Sequence, residues 1–347
     1  MDNAGTKTRR EILSQPEVWT TTLDVIHDRS HELKRIWQEQ QFDSVVLTGC
    51  GSTYYLALTA ASILQQRTGL ICRGVPASEL LLYPQLVYPS SGKTLLIAIS
   101  RSGETTETLS ACRAFLRDDR GTLLTISCYP DQPLATMGAL NIVLLDAREE
   151  SVVQTRAYTS MLLAIIATTA IWADQSEVLQ RLEKVPAAGQ ELMDRYRDTM
   201  TTLGRDPEIE SFYFLGSGPQ YGLACEASLK MKEMSLTLSE PFHFLELRHG
   251  PKSIINPAML VVGFHSLAHQ SIEQDVMTEA KALGGKTLAL GSSAADITIG
   301  HDHDEEVLSL LYLPLIQWLA TERAIRKGID PDHPKNLDTV VKLTMSE

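Results

Sequence analysis

The sequence carries one passage twice, and that repeat limits what the chain can fold into. Val46-Leu47-Thr48-Gly49-Cys50-Gly51-Ser52-Thr53-Tyr54 and Tyr213-Phe214-Leu215-Gly216-Ser217-Gly218-Pro219-Gln220-Tyr221 share a design: a short apolar strand, Gly-x-Gly, then a helix. An offset of 167 residues places Gly49 on Gly216, Gly51 on Gly218, Tyr54 on Tyr221, Ala57 on Ala224 and Ala60 on Ala227. Self-similarity of this kind signals a duplicated domain. Around the first copy, strand-like runs at 44–48, near Leu70, at 94–99, 122–127 and 141–145 alternate with helical stretches. Around the second, runs at 259–264 and 287–290 precede a helix over 306–326. Strands and helices alternating in this way predict α/β architecture with parallel, doubly wound sheets. The expected divisions are an N-terminal arm (1–30), a first domain (31–175), a connecting helix (176–205), a second domain (206–330) and a C-terminal tail (331–347).

A chain of 347 residues exceeds the usual size of one domain, in keeping with two. Its net charge of −12 argues against nucleic acid or an anionic membrane as a general partner, but leaves room for a local anion pocket. Cys50, Cys72, Cys112, Cys128 and Cys225 are odd in number and form no CxxC pair, which fits a reducing, cytoplasmic setting and no zinc site. Residues 1–15 do not read as a signal peptide, and the apolar stretch 161–172 is too short to span a bilayer.

The strongest chemical signal is Ser100-Arg101-Ser102-Gly103-Glu104-Thr105. It joins an apolar strand to a helix over 106–116. A helix N-terminus offers backbone N–H groups and the positive end of the dipole to an anion. Helix capping needs one hydroxyl, whereas this loop has three besides Arg101, so phosphate binding is the better reading. The counterpart loop, His265-Ser266-Leu267, lacks glycine and keeps one hydroxyl, which leaves one functional phosphate loop per chain. Glu226, Lys230 and Glu233 fall at i, i+4 and i+7 on one face of the helix after the second Gly-x-Gly. A surface ion-pair stripe has the same spacing, but the flanking Leu223, Leu229 and Met234 argue for an interior position. His249 stands in the loop Arg248-His249-Gly250-Pro251, with Glu240 and His243 near in sequence. The run His301-Asp302-His303-Asp304 reads as a solvated turn, not a metal cluster, and Cys225 as packing.

These residues resemble the sugar isomerase (SIS) family. The resemblance is carried by Glu11-Ile12, Gln15-Pro16, Cys50-Gly51-Ser52-Thr53-Tyr54, the loop at 100–105, Thr155-Arg156-Ala157-Tyr158-Thr159, Glu226-Ala227-Ser228-Leu229-Lys230-Met231-Lys232-Glu233, Glu246-Leu247-Arg248-His249-Gly250-Pro251 and Pro334-Lys335-Asn336-Leu337. In particular they are similar to the isomerase half of glucosamine-6-phosphate synthase and to stand-alone amino-sugar-phosphate deaminases and deglycases. The resemblance implies two tandem SIS domains of flavodoxin-like sandwich type, no metal and no cofactor. It also implies a homodimer with shared active sites, acting on a hexose 6-phosphate or amino-sugar 6-phosphate. Ser52, Thr53, Ser100, Arg101, Ser102 and Thr105 would hold the phosphate, and the segment with Val152, Gln154 and Thr155 would line the sugar. Glu233 would move a proton between C1 and C2, supported by Glu226 and Lys230. His249 of a neighbouring subunit would open the ring.

Two departures bear on the activity. Asp2 stands where synthases have a nucleophilic cysteine, so glutamine is not the expected nitrogen source. Thr339 stands where they have an imine-forming lysine, and Lys342 follows three residues later. The expected reaction is deamination and isomerisation of an amino-sugar 6-phosphate to a ketose 6-phosphate and ammonia. A fructosamine-type deglycase, a plain aldose–ketose isomerase and a non-catalytic sugar-phosphate sensor remain alternatives.

Overall fold

The computed structural model describes residues 4–300, 303–340 and 343. The chain divides into two compact units, each containing one sheet. The first-sheet unit comprises 17–149, 156–184 and 338–347; the second-sheet unit comprises 1–16, 150–155 and 185–337. The helices before the first strand are α1 (Thr6–Leu13), α2 (Gln15–Asp28) and α3 (Ser30–Gln40). Then follow β1 (Ser44–Gly49), α4 (Ser52–Thr68), β2 (Ile71–Pro76), α5 (Ala77–Leu82), α6 (Pro84–Val87), β3 (Thr94–Ile99), α7 (Thr106–Arg117), β4 (Gly121–Ser127) and β5 (Leu140–Val143). Helices α8 (Arg156–Trp172), α9 (Ser176–Leu182) and α10 (Val185–Arg205) lead to β6 (Ser211–Gly216) and α11 (Pro219–Ser235). The remaining elements are β7 (Leu238–Phe242), β8 (Met259–Phe264), α12 (Gln270–Ala282), β9 (Lys286–Gly291), β10 (Ile297–Thr298) and α13 (Glu305–Arg326).

Both sheets are five-stranded and parallel. Their orders, β2-β1-β3-β4-β5 and β7-β6-β8-β9-β10, are the same order read for each unit. This is the flavodoxin-type arrangement, in which ligands gather at the C-terminal strand ends. Central strands β3 and β8 are buried at every position, as strands covered on both faces must be. Helices α8 and α13 are buried almost all round, so neither shows a clean amphipathic period. The boundaries of β1 and α4 recur 167 residues later as those of β6 and α11. Gly51 (φ 57°, ψ −123°) and Gly218 (φ 56°, ψ −131°) share a conformation that side-chain-bearing residues avoid. At Gly49 and Gly216 a Cβ would run into the following helix, at Thr53 and Gln220 respectively.

Three expectations change. The described part of the arm is helical from Thr6 on: Asp332 accepts hydrogen bonds from the Thr8 and Lys7 N–H groups, and Asp330 from Gly5, so carboxylates near the far end of the chain satisfy the start of α1. The connecting helix is two helices, α9 and α10, broken at 183–184. Strand β7 was not foreseen, because Pro241 and two polar residues blur its pattern. Proline is tolerated there because β7 is an edge strand.

Candidate active site

In the first-sheet unit the loop at 100–105 joins β3 to α7, as expected. Ser100 N–H donates to the Ile126 carbonyl at 3.0 Å, which extends the sheet one step. The Gly103 N–H donates to Ser100 Oγ at 3.2 Å, and the Glu104 N–H to Ser102 Oγ at 3.3 Å. Ser100 Oγ and Thr105 Oγ1 lie 3.2 Å apart. Gly103 takes φ 71°, with Gln132 where a Cβ would go. Thr105 occupies the N-cap of α7, yet its side chain makes no capping hydrogen bond. The three hydroxyls therefore form a compact cluster at a helix N-terminus, arranged around the loop more than the helix.

Arg101 has partners that the sequence does not announce. Its guanidinium is buried, with Nη1 3.1 Å from Glu149 Oε2 and Nη2 donating to the Thr339 carbonyl at 3.2 Å. Glu149 Oε1 in turn accepts the Ala157 N–H at the head of α8. Leu343 N–H donates to Thr106 Oγ1 at 3.1 Å, so residues 339 and 343 are both tied to the β3–α7 junction. Thr53 also works locally: its Oγ1 accepts from Cys50 N–H at 2.9 Å and donates to the Cys50 carbonyl at 3.0 Å, closing the Gly-x-Gly turn. Ser52, the first residue of α4, is buried beside it.

In the second-sheet unit α11 carries the acidic pair and the lysine. Lys230 Nζ lies 3.2 Å from Glu226 Oε1 and 2.6 Å from Glu233 Oε2. Lys230 and Glu226 are fully buried, whereas the Glu233 side chain retains 22% of its exposure. Burial by itself would push the Lys230 ammonium down, but the Glu226 and Glu233 carboxylates outweigh it and hold it above the ordinary lysine value. The stripe is thus an interior ion triad whose outer member, Glu233, is presented to the surface of the unit.

His249 is exposed and closes a 3₁₀ turn over Glu246–Arg248, its N–H donating to the Glu246 carbonyl at 3.0 Å. Gly250 follows at φ 125°. His243 stacks on Tyr221 with ring centroids 3.7 Å apart, and burial lowers its imidazole pKa. The segment with Val152, Gln154 and Thr155 is anchored at both ends. Glu11 accepts from the Glu150 N–H at 2.5 Å and from the Ser151 N–H and Oγ; Gln317 Nε2 donates to the Thr155 carbonyl at 3.2 Å. The Gln154 amide oxygen is buried without a hydrogen-bond partner. Glu149 and Gln317 went unnoticed in the sequence because each meets its partner across a long chain separation.

Among the described residues no three His, Cys, Asp or Glu side chains group as a metal ion would need. No helix among them is long and apolar enough to cross a membrane. His301, Asp302 and Lys342 lie outside the described residues. A cavity of about 900 Å³ opens in the second-sheet unit beside Lys7, Arg10 and His333, and it is lined by none of the candidate site residues.

Residues 40–171 match the family model described as SIS domain. A glutamine–fructose-6-phosphate aminotransferase (isomerizing) from Gluconobacter oxydans is 30% identical over 360 residues, covering 94% of this chain and 57% of that protein. The chain spans a little over half the length of the curated relatives it matches. A glucosamine-6-phosphate deaminase structure from Thermotoga maritima superposes with TM-score 0.79 at 29% identity, covering 93% of this chain and 99% of that one. A putative tagatose-6-phosphate ketose/aldose isomerase from Clostridium novyi reaches TM-score 0.86 at 23% identity over 97% and 93% of the two chains, a likeness of fold.

Proposed function

Residues 40–171 being an SIS domain, we propose that the chain is an enzyme that deaminates and isomerises an amino-sugar 6-phosphate to a ketose 6-phosphate and ammonia. The second sheet, with its repeated order and Gly218 turn, is read as a tandem copy of the first. The observation that carries the enzymatic reading is the α11 triad. A fully buried lysine held 2.6 Å from a partly exposed glutamate fixes the position of that carboxylate, as a base requires and a passive sensor does not. The match to a glucosamine-6-phosphate deaminase over nearly the whole chain supports the choice of substrate class.

In this reading Ser52, Thr53, Ser100, Ser102 and Thr105 take the phosphate through hydroxyl and backbone donors, with Arg101 contributing charge from its position against Glu149. The segment with Val152, Gln154 and Thr155 takes the sugar hydroxyls, where the unpartnered Gln154 oxygen offers an acceptor. His249, supplied by a second subunit of a homodimer, opens the ring by moving a proton from the C1 hydroxyl to the ring oxygen. Glu233 removes the C2 proton, made acidic by the C1 aldehyde. Return of a proton at C1 leaves an imine at C2, and water adds to it and expels ammonia. One water is consumed and one ammonia released, with no change of oxidation state overall. The substrate brings its own nitrogen, so no enzyme imine is needed and Thr339 is compatible with the route.

Ammonia release measured over a panel of 6-phosphorylated amino sugars, fructosamines and plain hexoses tests the assignment. Turnover of glucosamine 6-phosphate that falls by about 10²–10⁴-fold in Glu233→Gln, with solvent deuterium exchange at C1 or C2 lost in parallel, is expected. Binding of the sugar phosphate without turnover or exchange on the whole panel would leave a sensor.

A further inference from the structure

The end of β8 stands in its sheet where the end of β3 stands in the other. His265 N–H donates to the Leu290 carbonyl at 2.9 Å, as Ser100 does to Ile126. Ser266 and Leu267 therefore take the places of Arg101 and Ser102. Gln220, second residue of α11, takes the place of Thr53, second residue of α4. These are the positions that hold an anion in the reading of the first-sheet loop given above, on which the comparison rests.

What fills the second junction is the chain itself. The Leu267 N–H donates to Glu305 Oε2 at 2.7 Å, and Gln220 Nε2 donates to Glu305 Oε1 at 3.2 Å. Ser309 Oγ donates to Gln220 Oε1 at 2.8 Å, which orients the amide so that its NH₂ faces the carboxylate. The Ser266 N–H donates to Glu273 Oε2 at 2.7 Å. Two successive backbone donors at the head of α12 are thus each occupied by a glutamate. The fit is incomplete. Among the described residues Glu273 Oε1 is buried without a hydrogen-bond partner, and neither ring nitrogen of the fully buried His265 has one. Burial raises the Glu273 carboxyl and lowers the His265 imidazole to about 4. A carboxylate brings two oxygens and one charge, whereas a phosphate monoester brings three oxygens and up to two charges. Orphaned polar atoms around an internal carboxylate are what such a substitution leaves behind.

We infer that the β8–α12 junction is a phosphate-monoester site closed from within, the Glu305 carboxylate standing where the phosphate group would bind. Glu305 is the plug because it alone bridges the loop N–H and the α11 side chain. Removing it frees the Leu267 N–H and one N–H of the Gln220 amide, whose other N–H remains within 3.2 Å of the Glu305 backbone carbonyl, for an external anion.

Equilibrium dialysis against radiolabelled orthophosphate at constant ionic strength tests this, in a Ser102→Ala/Thr105→Ala background that weakens the first loop. That background chain is expected to bind phosphate about tenfold more weakly than the unsubstituted protein. Adding Glu305→Ala should create one equivalent of phosphate per chain, displaced by glucosamine 6-phosphate. Adding Glu305→Gln should create none, since the amide oxygen still accepts from Leu267 or Gln220. A folded Glu305→Ala chain that gains no equivalent overturns the inference. So does a chain that gains an equivalent with Glu305→Gln and not with Glu305→Ala. Should the alanine variant fail to fold alone, folding in phosphate but not in chloride of equal ionic strength supports the plug, and failure in both overturns it. If the background chain binds phosphate as well as the unsubstituted protein does, the reading of the first loop fails, and the gain on removing Glu305 is still counted above that baseline.

Discussion

Replacing Lys230 by methionine removes the cation from between two carboxylates while keeping most of the side-chain volume. Glu226 is then a fully buried carboxylate that has lost an ion pair at 3.2 Å, and Glu233 loses one at 2.6 Å. Breaking one side of a buried ion pair typically costs about 3–5 kcal/mol. At roughly 2–4 °C per kcal/mol for a unit of this size, Tm should fall by about 6–20 °C near neutral pH. The pH dependence gives the sharper test. In the native protein the Lys230 ammonium lies above its unfolded value of 10.5, so its contribution is complete below that value and is lost only on the alkaline side. In Lys230→Met the uncompensated Glu226 has its carboxyl pushed up by burial, so the folded state binds a proton the unfolded chain gives up. The deficit should therefore shrink as pH falls from about 8 to about 5. Scanning calorimetry across that range checks both, and a second change, Glu226→Gln, should restore most of the lost stability at pH 8. A deficit that is independent of pH, or a double variant no better than the single, would refute the account of Lys230 as the counterion of a buried carboxylate.

Ser102→Ala with Thr105→Ala should raise KM for the phosphosugar by about tenfold or more, through loss of charge-assisted hydrogen bonds, with a smaller effect on kcat; an unchanged KM would move the phosphate elsewhere. Mixing inactive Glu233→Gln chains with inactive His249→Ala chains should restore partial activity after subunit exchange. No recovery despite verified exchange would mean that each site is built from one chain.

The strands and the two Gly-x-Gly turns were legible because they depend on local pattern. Buried runs such as 94–99 and 259–264 can satisfy their backbone only in a covered sheet, and Gly51 and Gly218 serve a turn that only glycine adopts easily. The triad spacing was legible for the same reason, since i, i+3 and i+4 contacts follow from helix geometry. What was hidden was decided across long separations. Arg101 reads as a phosphate ligand, and nothing in the sequence points to Glu149, 48 residues away, as the carboxylate against it. Thr53 reads as a phosphate donor, and the bond of its hydroxyl to Cys50 three residues before it is not legible beside that role. The divergence of His265-Ser266-Leu267 from Ser100-Arg101-Ser102 is visible in the sequence, but nothing there announces that the Leu267 N–H meets Glu305.

The capping of α1 by Asp330 and Asp332 has a consequence for how the chain comes into being. Helix α1 leaves the ribosome well ahead of the carboxylates that satisfy its N-terminus, which lie 324 and 325 residues downstream. Glu322, which pairs with Arg9, lies 313 residues on. At about 5–20 residues per second, α1 waits roughly 15–65 s for these partners. Most of the first-sheet unit has emerged by residue 184 and can condense in that interval, whereas the second-sheet unit must recruit its opening segment after the rest of it is made. An eight-residue helix cannot hold itself together alone for that time, so until Asp330 and Asp332 arrive the apolar Ile12 is open to chaperones. Vectorial synthesis thus makes a helix translated ahead of both sheets among the last elements of its unit to dock.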